Sequence, residues 1–309
     1  MTATAPAVRP FPLVPQRRFA GVQFGERRSP RRGPGDEVVG SRPYRPGDHT
    51  AWIDWKASAR LSAARGTDEW VVREYLAEQA PRVIVVRDRR PAMALYGSEL
   101  PWLDKRAAAA EAVRQIMLAV AVERGEVAYA DHAGGRPFWL PPRGQGYRDI
   151  LDRREREAPF TGPPDALHRS LEVLFRHTAL FPVGTFLFVV SDYLTPVPPR
   201  TWMRFRSLRW DVAPVIVQDP VWEQGFPDLG GVVLPVADPV TGVTEDVWVA
   251  PRTARALRAR NEERLASLRA GFARLGFDPV LVESAQAHEI ETCFHAWAER
   301  RRRLRRKRT

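Results

Sequence analysis

Arginine, aspartate and tryptophan side chains are concentrated between residues 42 and 60. Residues 42–48 read Arg-Pro-Tyr-Arg-Pro-Gly-Asp, and residues 53–60 read Ile-Asp-Trp-Lys-Ala-Ser-Ala-Arg. A guanidinium can hold a carboxylate through two parallel hydrogen bonds and can stack on an indole. The Pro-Gly-Asp step predicts a tight turn, because glycine readily adopts positive φ. The candidate site residues in this stretch are Arg42, Tyr44, Gly47, Asp48, Asp54, Trp55 and Arg60.

Two interpretations of this stretch remain open. A turn held by Arg–Asp pairs and packed by indoles could serve only to dock an N-terminal segment onto a sheet. It could also present a surface that binds a partner protein. Catalysis is not indicated, because no recognisable nucleophile–base pair accompanies these carboxylates.

Two further carboxylates, Asp88 and Asp192, follow the most apolar runs of the chain. Residues 82–86 and 185–190 are short and rich in β-branched or aromatic residues, as expected of buried parallel strands. In open parallel sheets, ligands bind beyond the carboxyl ends of the strands. We therefore expect Asp88 and Asp192 to lie at a functional edge of the sheet.

The elements that must position these residues alternate between strand and helix from residue 82 onward. This alternation predicts an α/β fold with a doubly wound, mainly parallel sheet of Rossmann-type layering. The predicted strands are 82–86, 126–130, 136–140, 185–190, 211–217 and 278–282, with a further hairpin at 231–236 and 244–249. The predicted helices begin at Lys105 and Thr253 and cover 147–157, 167–175, 202–208 and the region around 290–297.

Composition divides the chain into four parts. We expect a flexible lead-in at residues 1–35. A β-rich segment of strands and turns is expected at residues 36–80, packed on the main α/β domain at 81–298. Residues 299–309 contain eight basic residues and one acid, which accounts for most of the net charge of +11. Such a block is typical of a solvated terminus, which could bind polyanions without sequence preference.

The motif between residues 42 and 60 resembles that of the DUF58 family, whose members carry a von Willebrand factor A-like domain. The resemblance includes a preceding Gly-Pro-Gly-Asp-Glu at 33–37 and a following Val-Arg-Glu-Tyr at 72–75. One departure is that the family usually has an Arg shortly before Ile-Asp-Trp, where this chain has Ala51 and Trp52. The resemblance implies a von Willebrand A-like fold and, as partner, a MoxR-like AAA+ ATPase.

The resemblance also implies a cation site with the pattern Asp-x-Ser-x-Ser, a Thr from a later loop and a final Asp. Here Asp88 and Asp192 remain, but Arg90 and Ala92 replace the two serines and Pro164 falls nearest the Thr. One interpretation is a residual metal site. The other is a degenerate site in which Arg90 or Arg89 lies over Asp88 and Asp192 and takes the place of the cation.

Cysteine content and hydropathy bear on the compartment. The single cysteine, Cys293, excludes an internal disulfide and favours a reducing compartment. No apolar run approaches the length of a membrane helix, and residues 1–15 lack the pattern of a signal peptide. We therefore expect a soluble, cytoplasmic protein without a transmembrane segment.

The functional expectation is a non-enzymatic, protein-binding adaptor for a MoxR-like AAA+ ATPase in protein assembly or remodelling, with a degenerate metal site and no cofactor. One alternative is a metal-dependent phosphoester hydrolase that uses Asp88 and Asp192. The other alternative is a polyanion-binding protein that acts through the basic tail.

Overall fold

The computed structural model describes residues 9–16, 38–46, 48, 50–75, 80–95, 102–144 and 146–306. The chain divides into two compact units. One consists of Met1–Arg17 together with Ala80–Thr309, and is called the α/β unit below. The other consists of Arg18–Gln79, and is called the motif unit.

The motif unit contains a two-stranded antiparallel sheet and one helix. Its strands are β1 (Val38–Pro43) and β2 (Val71–Tyr75), and the helix α1 spans Trp55–Arg65. The helix corrects the expectation that residues 36–80 are β-rich. Asp54 caps it by accepting a hydrogen bond from the backbone N–H of Ala57, and Gly66, at φ 68°, ends it in the left-handed conformation.

A six-stranded sheet forms the centre of the α/β unit, which confirms the expected mainly parallel sheet. Its strands are β3 (Arg82–Arg87), β4 (Glu126–Ala133), β5 (Arg136–Arg143), β6 (Phe186–Ser191), β7 (Asp211–Val217) and β10 (Val280–Val282). The order across the sheet is β10-β7-β6-β3-β4-β5, and only β5 runs antiparallel to its neighbour. The chain fills the sheet in opposite directions from β3, so a topological switch point lies between β3 and β6.

Helices cover both faces of this sheet. Successive side chains along a strand point to opposite faces of the sheet. On β3, Val83 and Val85 face one core, and Ile84 and Val86 face the other. The first core includes α2 (Lys105–Val122), α3 (Arg148–Glu157) and α7 (Ala287–Arg306). The second core includes α4 (Ala166–Phe175), α5 (Pro199–Ser207) and α6 (Pro251–Leu275).

A separate antiparallel hairpin precedes α6. It is formed by β8 (Val232–Ala237) and β9 (Thr244–Val249), as the sequence predicts. Gly276 ends α6 with a φ of 75°, and Asp104 caps α2 by accepting from the N–H of Ala107. Among the residues that the structure describes, no helix has an apolar stretch long enough to cross a lipid bilayer.

Residues 9–16 contribute Phe11, Leu13 and Val14 to the first core and differ from the flexible lead-in expected for residues 1–35. The Phe11 ring stacks on Phe294 of α7, with 4.5 Å between ring centroids. The N–H of Leu13 donates to Glu123 Oε1 at 2.7 Å, and the N–H of Gln16 donates to Asp211 Oδ2 at 2.7 Å. Apolar burial and paired backbone groups therefore fix this segment.

The basic tail also departs from its prediction, because α7 continues through it to Arg306. Arg301 is only 1% exposed, and its guanidinium lies 4.0 Å from the Trp297 ring centroid. It donates to Asp211 Oδ1 at 2.8 Å and to Asp278 Oδ2 at 3.1 Å. Part of the charge block is thus a buried anchor of the fold, while residues 307–309 lie outside the described residues.

Candidate functional site

The two predicted carboxylates meet at the switch point of the sheet. Asp88 directly follows β3, and Asp192 directly follows β6, the neighbouring parallel strand. The N–H of Asp88 donates to the carbonyl oxygen of Val190 at 3.0 Å, which continues the strand pairing to the end of the edge. Both aspartates are fully buried.

The guanidinium of Arg90 lies between the two carboxylates. Its Nη2 donates to Asp192 Oδ1 at 2.5 Å and to Asp88 Oδ2 at 2.6 Å, and its Nε lies 2.9 Å from the same Asp88 oxygen. The backbone N–H of Arg90 donates to Asp88 Oδ1 at 3.0 Å, and Nη1 donates to the hydroxyl of Thr195. One arginine therefore joins the ends of two strands.

A buried lysine neutralises the remaining oxygen of Asp192. Lys105, the first residue of α2, places Nζ 3.1 Å from Asp192 Oδ2 and 2.6 Å from Glu223 Oε1. The other oxygen of Glu223 accepts from the N–H of Asp219 at 2.9 Å. The edge thus holds three carboxylates, Asp88, Asp192 and Glu223, and two buried cations.

A strained turn fixes the position of Asp192. Tyr193 adopts a φ of 55°, in the left-handed region that non-glycine residues rarely occupy. Its hydroxyl donates to the Val189 carbonyl at 2.6 Å, and its N–H donates to Ser191 Oγ at 3.1 Å. Ser191 Oγ in turn donates to Asp88 Oδ2 at 2.7 Å, so the turn is tied to both strand ends.

Burial and the two cations act in opposite directions on these acids. Burial raises the pKa of Asp192, but the charges of Lys105 and Arg90 outweigh it and hold the pKa below its usual range. Burial dominates at Glu223 and raises its pKa despite Lys105. Burial lowers the pKa of Lys105, but the two carboxylates beside it raise the pKa above its usual value. The geometry therefore favours a charged Asp192–Lys105 pair.

The residues present do not fit the divalent cation that the resemblance implies. The carboxylate oxygens of Asp88 and Asp192 accept from protein donors, mainly Arg90 and Lys105. The hydroxyl of Thr161, in the loop expected to supply a Thr ligand, accepts from the N–H of Gly134. Within the described residues, no group of three or more His, Cys, Asp or Glu side chains is arranged to hold a metal ion.

Arg89 points away from this edge into a second buried charge cluster. Its Nη2 donates to Glu155 Oε1 at 2.7 Å, and its Nε donates to Asp131 Oδ2 at 3.2 Å. Arg154 supplies a second cation to Asp131, with Nη2 2.6 Å from Oδ1. Of the two arginines that the sequence offered as the replacement, Arg90 is the one between Asp88 and Asp192.

In the motif unit, Arg42 and Asp48 form the paired turn that the sequence predicts. The guanidinium holds the carboxylate through two hydrogen bonds of 2.6 and 2.7 Å, and the N–H of Arg45 donates to Asp48 Oδ2 at 2.8 Å. The hydrogen bond from Arg42, followed by that from Arg45, lowers the pKa of Asp48 to about 2. Gly47, which was predicted to shape this turn, lies outside the described residues.

Asp54 has a structural role at the start of α1. Besides capping the helix, it accepts a hydrogen bond from Arg73 Nε at 2.9 Å, and this bond lowers the pKa of Asp54. The Trp70 ring contacts Tyr44, with 5.5 Å between centroids, and Trp55, with 6.5 Å. Trp55 is 64% exposed, and Arg60 is also exposed on α1. The motif therefore combines a pinned turn with an open aromatic and basic surface.

Sequence reasoning did not assign a role to Lys105, Thr195 or Glu223. Lys105 was predicted to start a helix, and its position eleven residues, about three helical turns, before Ile116 on the predicted core side was the available signal. Glu223 lies 118 residues from Lys105 in the chain, so only the tertiary fold reveals their contact.

Comparison with known protein families finds a match for this chain. The family described as "Protein of unknown function DUF58" matches residues 40–270. No relative among curated proteins matches the chain. The conserved hypothetical protein BatB of Bacteroides thetaiotaomicron is 13% identical with a TM-score of 0.41, covering 71% of this chain and 99% of that one.

Two further solved structures show similarity at the same level. An aerotolerance-related membrane protein of Bacteroides fragilis is 11% identical with a TM-score of 0.41, covering 71% of this chain and 99% of that one. The pilus adhesin SpaC of Lactobacillus rhamnosus GG is 12% identical with a TM-score of 0.42, covering 72% and 31%. Since the family match spans most of the chain, this protein belongs to the DUF58 family.

Proposed function

We propose that this protein is a non-enzymatic, protein-binding member of the DUF58 family. In this proposal the α/β unit is a von Willebrand A-like domain, and Arg90 takes the place of its cation. The strand order, with its switch point between β3 and β6, supports that assignment, since Asp88 and Asp192 lie at this point.

The observation that carries the proposal is the Arg90 bridge. Nη2 of Arg90 contacts Asp88 Oδ2 at 2.6 Å and Asp192 Oδ1 at 2.5 Å. These are oxygens that a bound cation would need as ligands. A guanidinium supplies a permanent positive charge and directional donors, so it can hold the edge in one shape without a metal. Recognition at this edge then depends on direct contacts instead of metal-bridged capture of a partner carboxylate.

The same contacts weigh against a hydrolase that uses Asp88 and Asp192. Such an enzyme needs carboxylate oxygens that are free to bind a cation or activate water. Here Arg90 and Lys105 donate to the oxygens of both residues. A hydrolase would first have to break buried ion pairs, which is costly when the charges left behind have no solvent.

The proposed partner is a MoxR-like AAA+ ATPase, for which this protein would serve as a cytoplasmic adaptor in assembly or remodelling of other proteins. The motif unit offers the surface for it. Trp55 and Arg60 are exposed on α1, and aromatic and arginine residues are enriched where protein interfaces have their binding energy. Asp48 and Asp54 are occupied by structural bonds and would hold that surface in shape.

Affinity purification of the tagged full chain tests this proposal, with nuclease and with ATP or a non-hydrolysable analogue. We expect an AAA+ ATPase in stoichiometric amount, and we expect Trp55→Ala with Arg60→Ala to lose it. The matched control is Leu304→Ala, which removes an exposed apolar side chain from α7. Recovery of nucleic-acid-bound proteins alone, lost on nuclease treatment, would instead favour polyanion binding by the basic end of α7.

A further inference from the structure

The β8–β9 hairpin exposes apolar side chains on both of its faces. Val233 is 54% exposed and lies opposite Trp248, which is 62% exposed. Alternation along the strands places Val236 and Val247 on the other face, and both are exposed as well. Isolated two-stranded hairpins are marginally stable in water, because stability generally requires a third strand or a packed face.

The two edges of the hairpin differ in what they can pair with. The sheet contains only β8 and β9 among the residues that the structure describes. The N–H of Asp238 donates to the Val243 carbonyl at 2.8 Å, so this pair is hydrogen-bonded. Non-hydrogen-bonded and hydrogen-bonded pairs then alternate along both strands. This pattern turns the backbone groups of Thr244, Asp246 and Trp248 outward on β9.

On β8 the corresponding outward position is Pro235, which lies opposite Asp246. Proline has no N–H, and at this outward position its absence removes a donor from the outer edge of β8. No hydrogen bond inside the hairpin is lost. β9 contains no proline, and its outward edge keeps a donor and an acceptor at every second residue. Strand addition is therefore favoured at β9 over β8.

The charge of the hairpin points to a basic occupant. Residues 231–249 contain Asp238, Glu245 and Asp246 and no Lys or Arg, in a chain whose net charge is +11. Asp238 accepts bonds from the turn N–H groups of Val240 and Thr241. Within the described residues, Glu245 and Asp246 have no side-chain bond, so both carboxylates remain available at the β9 edge.

We propose that β9 binds an extended, basic segment of a partner protein as a third strand of this sheet. Backbone bonds to the β9 edge would supply affinity, and alternating side chains would contact Trp248 and the two carboxylates. Pairing between two copies of this chain is disfavoured, because joining two β9 edges would bring together the Glu245 and Asp246 carboxylates of both copies. The inference goes beyond the proposed function and depends on neither Arg90 nor the ATPase.

Fluorescence anisotropy with the full chain tests the inference, using a fluorescein-labelled peptide of alternating Val and Arg. Thr244→Pro removes an outward N–H of β9 and no bond within the hairpin. Ala237→Pro, at the residue opposite Thr244, makes the matched change on the β8 edge. Glu245→Lys with Asp246→Lys reverses the edge charge, and Glu262→Lys with Glu263→Lys makes the same charge change on exposed positions of α6.

We expect salt-sensitive binding by the wild type and by the Ala237→Pro and α6 variants, and at least about tenfold weaker binding by Thr244→Pro and by the β9 charge reversal. A peptide with alternate amides N-methylated should also bind about tenfold more weakly to the wild type, a result that needs no variant to fold. Undiminished binding of the methylated peptide, equal binding by Thr244→Pro and Ala237→Pro, or no binding to the wild type would overturn the inference.

Discussion

Nη2 of Arg90 lies 2.5 Å from Oδ1 of Asp192, which is 102 residues away in the chain and follows the neighbouring strand. The same nitrogen lies 2.6 Å from Asp88 Oδ2, so one guanidinium bonds two fully buried carboxylates. Removing either kind of partner would leave an uncompensated charge in the interior. The first consequences of the bridge therefore concern stability and metal binding.

Arg90→Ala should strongly destabilise the α/β unit. The change removes the cation bonded to both Asp88 and Asp192 and leaves Lys105 bonded to Asp192 alone, and breaking a buried pair in this way costs about 3–5 kcal/mol. Urea unfolding of the full chain measures this loss in the free energy of unfolding. The matched control is Arg169→Ala, which removes an exposed pair with Asp165 and should cost no more than about 0.5 kcal/mol. Similar losses for the two variants would contradict the buried role of Arg90.

Arg90→Ser combined with Ala92→Ser should create an edge that binds divalent cations. The variant removes the guanidinium from the Asp88 oxygens and Asp192 Oδ1 and adds two hydroxyls, which are ligands that Mg²⁺ and Mn²⁺ accept. We expect Mn²⁺ to raise the melting temperature of this variant and to leave that of the wild type unchanged. Ala92→Ser alone is the control, since it keeps the bridge. An equal rise for wild type and double variant would show that Arg90 does not compete with the cation.

The Arg42–Asp48 turn should lose its contribution to stability in acid. The folded-state pKa of Asp48 is about 2, against an ordinary value of 3.8. Because the folded pKa is the lower one, the contribution is complete above about pH 4 and disappears as the pH falls through 2. The Arg45 amide, which donates to Asp48 Oδ2, can report this in NMR spectra. Its shift should titrate in the wild type below pH 4 and not in Asp48→Asn.

Phe11→Ala should destabilise the α/β unit as a core substitution does. The ring is buried against Phe294 and Trp297, so truncation creates a cavity and should cost about 3–5 kcal/mol. The unfolding free energy in urea measures this, and Leu304→Ala on the exposed side of α7 is the control, with an expected change near zero. A Phe11→Ala variant as stable as the control would indicate that residues 9–16 do not contribute to the core.

Local sequence patterns predicted the parts of the molecule that depend on local chemistry. The apolar runs before Asp88 and Asp192 predicted parallel strands, and strand-end geometry then predicted that the two carboxylates share an edge. The missing serines at Arg90 and Ala92 pointed to an arginine in place of a cation. The strand inference required only the period of a buried strand, whereas the arginine replacement came from the ligand pattern that the family resemblance implies.

The features that escaped prediction depend on tertiary contacts or weak patterns. Helix α1 buries only Ser58 among its residues, so it has no apolar stripe that a helical period could reveal. Lys105 meets Glu223 across 118 residues, and neither carries a local signal for that contact. Arg301 is part of a charge block that composition assigns to solvent, yet the fold brings Asp211 and Asp278 to it.

Isothermal titration of the wild-type full chain with Mn²⁺ and Mg²⁺ tests the central claim most directly. Because Arg90 and Lys105 occupy the oxygens of Asp88 and Asp192, we predict no binding tighter than about millimolar. A 1:1 isotherm in the micromolar range that Asp192→Asn abolishes would show that a cation displaces Arg90. That result would contradict the account and restore a metal-dependent function at this edge.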